Sequence, residues 1–95
     1  MSTVEVRVPT ILRTYTGGEA DVTVSVAGEA TLADVVRELD VSYPGIGPRV
    51  LDDSGKIRRF VNVYVNDDDV RFADGLDTKT PDGAKVSIIP AVAGG

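Results

Sequence analysis

Residues 21–40 read DVTVSVAGEATLADVVRELD, and the spacing of the apolar residues changes within this stretch. Valine alternates with a polar residue over residues 21–26, which predicts a β-strand with one buried face. From residue 31 the apolar residues follow the i, i+3, i+4, i+7 spacing of a helix that buries one stripe. That stripe consists of Leu32, Val35, Val36 and Leu39. The sequence therefore predicts a strand followed directly by an amphipathic helix.

The predicted helix has a start signal and a stop signal. Thr31 is followed three positions later by Asp34, which is close to a capping box with Asp in place of Glu. Pro44 and Gly45 predict the end of the helix. We interpret residues 46–51, which come next, as a single helical turn.

Upstream of this stretch, residues 3–8 show the same alternation of valine and polar residues. This pattern predicts a strand that Pro9 ends. A turn is predicted at residues 15–18, which contain Gly17 and Gly18. The two strands are therefore predicted to form a hairpin.

Two further strands are predicted downstream. The first is FVNVYV at residues 60–65, followed by an acidic turn at 66–69 and a short extended piece at 70–72. The last strand covers residues 85–89, and Pro90 is expected to close it because proline cannot donate to a central ladder.

This element order predicts an α+β fold, because one three-turn helix covers only one face of a four- to five-stranded sheet. An early hairpin, a crossing helix and late strands suggest the β-grasp arrangement, in which the first and last strands pair at the centre of a mixed sheet. Residues 1–90 are predicted to form one domain, and residues 91–95 a flexible C-terminal tail.

Composition excludes several function classes. The chain has 95 residues, a net charge of −5, and no cysteine, histidine or tryptophan. Disulfides, thiol nucleophiles and the commonest general base are therefore absent. The acidic balance argues against nucleic-acid binding and against anionic membranes, and no metal site is predicted. No signal peptide is apparent, so we expect a cytoplasmic location.

The last five residues, Ala91, Val92, Ala93, Gly94 and Gly95, are all small, and the final two are glycines. A terminal carboxylate needs activation, most simply as an acyl-adenylate formed from ATP. Because glycine has no Cβ, a narrow enzyme channel can admit the last two residues. Extended, residues 91–95 reach roughly 17 Å. The alternative is a frayed terminus that happens to contain glycines.

The chain resembles the ThiS/MoaD family of sulfur carriers, most of all the actinobacterial carriers of cysteine biosynthesis. The resemblance covers nearly the whole chain and is most specific at its ending. The stretches that carry it are Val8–Arg13, Arg59–Asp67, Asp69–Phe72 and Pro90–Gly95.

The resemblance implies a ubiquitin-like β-grasp fold and a carrier that is not an enzyme and binds no cofactor itself. It implies that an E1-like enzyme uses ATP to adenylate Gly95, which becomes a thiocarboxylate. The sulfur acceptor would be a PLP-dependent cysteine synthase, and a metalloprotease would release cysteine. The composition agrees on one point, because a carrier without cysteine must hold its sulfur on the terminal carboxyl.

Two alternatives remain open for the function. Gly95 could be joined to lysines of target proteins, which would make the chain a protein modifier. The sulfur could also pass to molybdopterin, thiamin thiazole or a thiosugar.

Three surface features have alternatives as well. Phe60, Tyr64 and Ile89 are predicted to face away from the helix and form a partner-binding apolar patch, unless loops cover them. The acidic run at 67–69 is interpreted as a solvated turn and not a cation site. Arg58 and Arg59 are interpreted as a solvated strand edge in preference to an anion patch.

Overall fold

The computed structural model describes residues 2–90, which contain five strands and two α-helices. The strands are β1 (Ser2–Arg7), β2 (Asp21–Val26), β3 (Val61–Val65), β4 (Asp68–Asp69) and β5 (Lys85–Pro90). The α-helices are α1 (Leu32–Ser42) and α2 (Gly47–Val50), and short 3-10 turns cover Thr10–Thr16, Val70–Phe72 and Gly75–Asp77.

The strands form a single mixed sheet in the order β2-β1-β5-β3-β4. β1 runs antiparallel to β2 and parallel to β5, and β3 runs antiparallel to both β5 and β4. The first and last strands therefore lie side by side in the middle of the sheet. This topology is the ubiquitin-like β-grasp fold, and the predicted fold class is confirmed.

The core lies between α1 and one face of the sheet. All four residues of the predicted helical stripe are buried, and so are the alternating valines of β1 and β2. Burial of each such side chain contributes on the order of 1.5–3 kcal/mol. The strand at 21–26 and the helix after it are confirmed because both patterns are local and both bury their apolar face.

Side chains at both ends of α1 hold it in place. The Asp34 carboxylate accepts hydrogen bonds from the Thr31 N–H (2.9 Å) and the Thr31 hydroxyl (3.2 Å). Beyond the other end, Asp40 Oδ1 accepts the N–H groups of Gly45 (3.1 Å) and Gly47 (2.8 Å). Gly45 has φ +99°, and a Cβ there would lie 2.9 Å from the Tyr15 ring. Glycine at 45 thus lets the Thr10–Thr16 turn pack against the α1–α2 connection.

Two expectations about the connections need correction. β1 and β2 do pair as predicted, but a 3-10 turn over Thr10–Thr16 separates them. Residues 70–72, predicted as extended, also form a 3-10 turn, because the Asp69 side chain accepts the Arg71 N–H at 2.9 Å. The strand in this region is β4, which pairs with β3 after a tight turn.

The helices within residues 2–90 are too short and too polar to cross a membrane.

Candidate functional site

The predicted reactive segment lies outside the described residues, since Ala91, Val92, Ala93, Gly94 and Gly95 follow the last of them. The structure does describe β5, the strand that leads into this segment. The surroundings of Pro90 therefore define the candidate site.

The two halves of β5 have different neighbours. Lys85–Ser87 pairs with β1 in parallel register, and β3 pairs with β5 from Val86 to Pro90. Ile88–Pro90 has only β3 as a strand partner, because β1 ends at Arg7 and Pro9 follows it. The missing N–H of Pro90 thus falls where the β1 ladder has already stopped. One side of the strand end is left open.

The predicted apolar patch is divided by the structure. Phe60 (57% exposed) and Ile89 (46% exposed) both lie close to the end of β5, next to Ile11 (69% exposed). Tyr64 is half-buried and lies opposite Ser87, further back along the sheet. On one strand, four residues separate Phe60 from Tyr64 by about 13 Å. Phe60 and Ile89 are thus grouped at the strand end, and Tyr64 is apart from them.

Two grooves flank Pro90. The larger groove has a volume of about 600 Å³, and the smaller groove about 330 Å³. Pro9, Ile11, Ile88 and Pro90 line both grooves. The other residues of the larger groove are Leu12, Thr14, Tyr15, Arg49, Arg58, Phe60 and Val61. The other residues of the smaller groove are Arg7, Val8, Thr10, Arg13 and Ile89.

Three arginines, from the Thr10–Thr16 turn, from α2 and from the loop before β3, are fixed around these grooves by their Nε atoms. Arg49 Nε donates to the Tyr15 hydroxyl at 2.9 Å, and Arg58 Nε donates to the Pro48 carbonyl at 2.7 Å. Arg13 Nε donates to the Val8 carbonyl at 3.1 Å. Each acceptor is a neutral oxygen, so these hydrogen bonds orient the guanidinium groups without neutralising them.

The carboxylates with shifted pKa values lie outside both grooves. Hydrogen bonds from backbone N–H groups, led by that of Lys56, lower the pKa of Asp52, and the Arg71 side chain lowers the pKa of Asp69. The N–H of Thr31 lowers the pKa of Asp34. These groups stabilise turns and a helix start as anions, which gives them a structural role.

The acidic residues at 67–69 have a structural role in the turn between β3 and β4. Asn66 and Asp67 adopt left-handed φ angles of 49° and 74°, which makes a tight turn between β3 and β4. Asp69 pairs with Arg71, with Nη2 to Oδ2 at 2.9 Å. Across residues 2–90 no group of three or more acidic, histidine or cysteine side chains is placed to hold a metal ion.

The fold and the site together define a ubiquitin-like β-grasp protein whose last strand leads the chain out of the middle of the sheet. The chain belongs to the ThiS family, whose model matches residues 6–95. Sulfur carrier protein CysO from Mycobacterium tuberculosis is 53% identical over 94 residues, which cover 97% of this chain and 98% of CysO. The resemblance drawn from the sequence is confirmed.

Two other similar proteins extend the comparison. The structure matches a chain of the Amycolatopsis orientalis BexX/CysO complex with a TM-score of 0.87 and 46% identity, covering 97% of this chain and 99% of that one. Small archaeal modifier protein 3 from Haloferax volcanii is 38% identical over 78 residues, 82% of this chain and 84% of that protein. The relatives thus include sulfur carriers and a protein named as a modifier.

Sequence reasoning missed Ile11, Tyr15 and Arg49 as residues of the groove beside Pro90. They come from the Thr10–Thr16 turn and from α2, neither of which is adjacent to β5 in sequence. One local signal was available, since Ile11 is apolar beside a proline that ends a strand.

Proposed function

We propose that this chain carries sulfur as a thiocarboxylate on the terminal carboxyl of Gly95. It acts as a carrier and co-substrate, without catalytic activity of its own. Its work would take place in the cytoplasm, where the activating enzyme has ATP. Gly94 and residues 91–93 enter the partner enzyme with Gly95, and Phe60, Ile89 and Tyr64 bind the partner's surface.

The chemistry proceeds in two steps on the partner enzyme, an adenylyl transfer to the carboxylate and then an acyl transfer to sulfur. The Gly95 carboxylate attacks the α-phosphate of ATP, forms an acyl-adenylate and releases pyrophosphate. A sulfide equivalent then attacks the acyl carbon and AMP leaves, which gives the thiocarboxylate. No residue of this chain needs to supply a base, which suits a sequence without histidine or cysteine.

The observation that carries the proposal is the 53% identity to sulfur carriers over 97% of the chain. The family match also extends to residue 95. The absence of cysteine supports the same conclusion, because the sulfur cannot be held on a side-chain thiol.

Three kinds of partner enzyme follow from this function. An E1-like adenylating enzyme loads the sulfur, and a PLP-dependent cysteine synthase accepts it. A metalloprotease then releases cysteine from the carrier. The similarity to CysO-type carriers favours cysteine over the other sulfur products.

A second candidate function is protein modification through Gly95. The 38% identity to a small archaeal modifier protein is the observation that favours it. An amide link to lysine uses the same acyl-adenylate, so the body of the protein can serve both reactions. Proteomic analysis after trypsin digestion distinguishes them, because only the modifier leaves its C-terminal peptide, residues 86–95, on lysines of other proteins.

Deletion of Gly95 tests the carrier function. The acyl carbon would retreat by one residue, about 3.5 Å. A displacement of even about 1 Å can cost on the order of a hundredfold, so we expect loading to fall at least that far. Intact mass spectrometry after incubation with ATP, sulfide and the E1-like enzyme measures the gain of about 16 Da when sulfur replaces oxygen.

Two further variants complete this experiment. Adding alanine after Gly95 should also abolish loading, because a Cβ then enters the channel. Gly28→Ala is the matched control, since a Cβ at Gly28 meets nothing within 4 Å, and it should load like the wild type. If the protein without Gly95 gained the same mass at the same rate, the sulfur would not be on this residue and the proposal would be wrong.

A further inference from the structure

The charge around the end of β5 is opposite to the charge of the chain. The protein has 15 acidic and 10 basic side chains and a net charge of −5. Within residues 2–90 the two grooves beside Pro90 are lined by four arginines and by no aspartate or glutamate. These arginines are Arg7, Arg13, Arg49 and Arg58. The strand end is therefore a basic, apolar surface on an acidic protein.

Within residues 2–90, three of these arginines make no ion pair, whereas four other basic side chains do. Elsewhere in the described part of the chain, Arg37 pairs with Asp34 and Arg71 pairs with Asp69. Arg7 has a long ion pair, 3.9 Å, with Asp21. No carboxylate among residues 2–90 lies within ion-pair distance of Arg13, Arg49 or Arg58. Their Nε atoms are held by neutral oxygens, and the Asp52 carboxylate, whose pKa the Arg58 charge helps to lower, lies beyond ion-pair distance of Arg58.

The position of Pro90 decides what can cover this surface. Pro90 lines both grooves and is the residue from which the chain continues to Gly95. Residues 91–95 span at most roughly 17 Å when extended. An enzyme that takes them into a channel must therefore bring the mouth of that channel close to Pro90, over both grooves.

We infer that the two grooves form one docking surface for a partner enzyme whose channel mouth carries carboxylates around an apolar ridge. The inference rests on the proposed function, since it concerns the enzyme that receives Gly95. The apolar ridge would pack against Ile11, Phe60 and Ile89, which are all exposed. The carboxylates would pair with Arg49 and Arg58, and with Arg13, whose guanidinium Nη atoms offer paired donors.

The test compares two double variants with the same change in net charge. Arg49→Gln with Arg58→Gln removes two charges from the larger groove. Arg37→Gln with Lys79→Gln removes two charges from residues that line neither groove. Surface plasmon resonance without ATP measures binding of each to the E1-like enzyme from the same organism. A third protein, truncated after Pro90, is measured with and without the groove substitutions.

We expect the groove variant to associate roughly tenfold more slowly at low salt, and the difference to shrink to about twofold at 0.5 M salt. The control variant should bind within about twofold of wild type at both salt concentrations. The truncated protein should bind more weakly but keep the same dependence on Arg49 and Arg58.

Several outcomes overturn the inference. The first is an equal loss of binding in the two double variants, or no loss of binding in either. The second is no measurable binding of the wild type. The third is that truncation removes the effect of the arginine substitutions, which would place residues 91–95 themselves on the arginines. Salt-sensitive self-association that the groove substitutions abolish, measured by analytical ultracentrifugation, would make a second copy the occupant instead. Sulfur loading measured in parallel separates the two proposals. If the groove variant loads sulfur and binds like the wild type, only the docking surface is wrong. If binding depends on the arginines but the wild type is not loaded with sulfur, only the carrier function is wrong.

Discussion

The two ends of β5 differ in how firmly the surrounding chain holds them. At the start, Asn66 donates its N–H to the Lys85 carbonyl and accepts the Lys85 N–H on its side chain, both at 2.9 Å. On the other side, Glu5 N–H donates to the Ala84 carbonyl at 3.0 Å. At the end, Pro90 has a strand partner only in β3 and lies between two open grooves.

This difference shows how a small sheet can present a chain end without weakening its core. Val86, near the start of β5, has strand partners on both sides and is 1% exposed. Ile89, three residues later, is 46% exposed. Ile88, in the second half, is also buried at 3% exposed, so the core face of β5 continues to the strand end while Ile89 on the opposite face is available to partners.

Aspartate substitutions on the buried and the exposed face of β5 give the largest contrast. Val86→Asp buries a carboxylate without a partner, and we expect it to cost more than about 4 kcal/mol of unfolding free energy. Ile89→Asp should cost less than about 1 kcal/mol, because the side chain stays in water. Urea unfolding followed by circular dichroism measures both. If Val86→Asp does not fold, Val86→Ala, expected to cost about 2 kcal/mol, replaces it. Equal losses at positions 86 and 89 would contradict the comparison.

The hydrogen bonds that hold the start of β5 are tested by substitution of Asn66. Asn66→Ala loses the side-chain hydrogen bond and places alanine at a φ of 49°, which together should cost about 2 kcal/mol. Asn66→Gly accepts this φ and should cost about half as much. The same unfolding experiment measures both variants. A smaller loss for alanine than for glycine would show that the left-handed turn does not hold the strand start.

The exposed end is tested by removing aromatic rings. Phe60→Ala should weaken binding to the E1-like enzyme by more than about 1 kcal/mol, roughly fivefold, while the unfolding free energy changes by less than about 0.5 kcal/mol. Tyr64→Ala, further from Pro90, should have the smaller effect on affinity. Isothermal titration calorimetry gives the affinities. A larger effect at Tyr64 would move the contact from the strand end to the open face of the sheet.

The dependence of the unfolding free energy on acid pH should be the smallest effect, and it should arise from carboxylates that lie away from the end of β5. The pKa values of Asp34, Asp52 and Asp69 are lowered in the folded state. The unfolded protein therefore binds more protons near pH 4, so their contribution to stability is present above that pH and is lost below it. Urea unfolding at pH 5 and pH 3 should show a modest decrease, which Asp34→Asn reduces. An unchanged pH dependence in that variant would show that the helix-start carboxylate does not contribute.

Local patterns in the sequence were enough to predict α1 and four of the five strands in residues 2–90, all except β4. The stripe from Leu32 to Leu39 and the Thr31–Asp34 pair lie within a few residues of one another, and both appear in the structure. The 3-10 turns at Val70–Phe72 and Gly75–Asp77 were not predicted, because three residues are too few to show a period. At Val70–Phe72 the side chain of Asp69 decides the conformation instead.

The candidate site was less predictable because distant segments build it. Alternation correctly placed Phe60, Tyr64 and Ile89 off the core face, but it could not show that β1 stops at Arg7 and leaves the end of β5 open. Arg49 and Arg58 reach the larger groove through hydrogen bonds to Tyr15 and Pro48, contacts between elements that no spacing rule connects.

The parallel pairing of β1 with β5 also sets when this protein can fold during its synthesis. Glu5 pairs with Lys85, so the first strand must wait for a partner about 80 residues later in translation. Closing so long a loop is slow compared with forming a helix or a hairpin, because the entropy cost comes before the contacts form. Until β5 leaves the ribosome, the edge of β1 that pairs with it stays open. A nascent chain that stops before β5 would therefore remain unfolded and open to proteases.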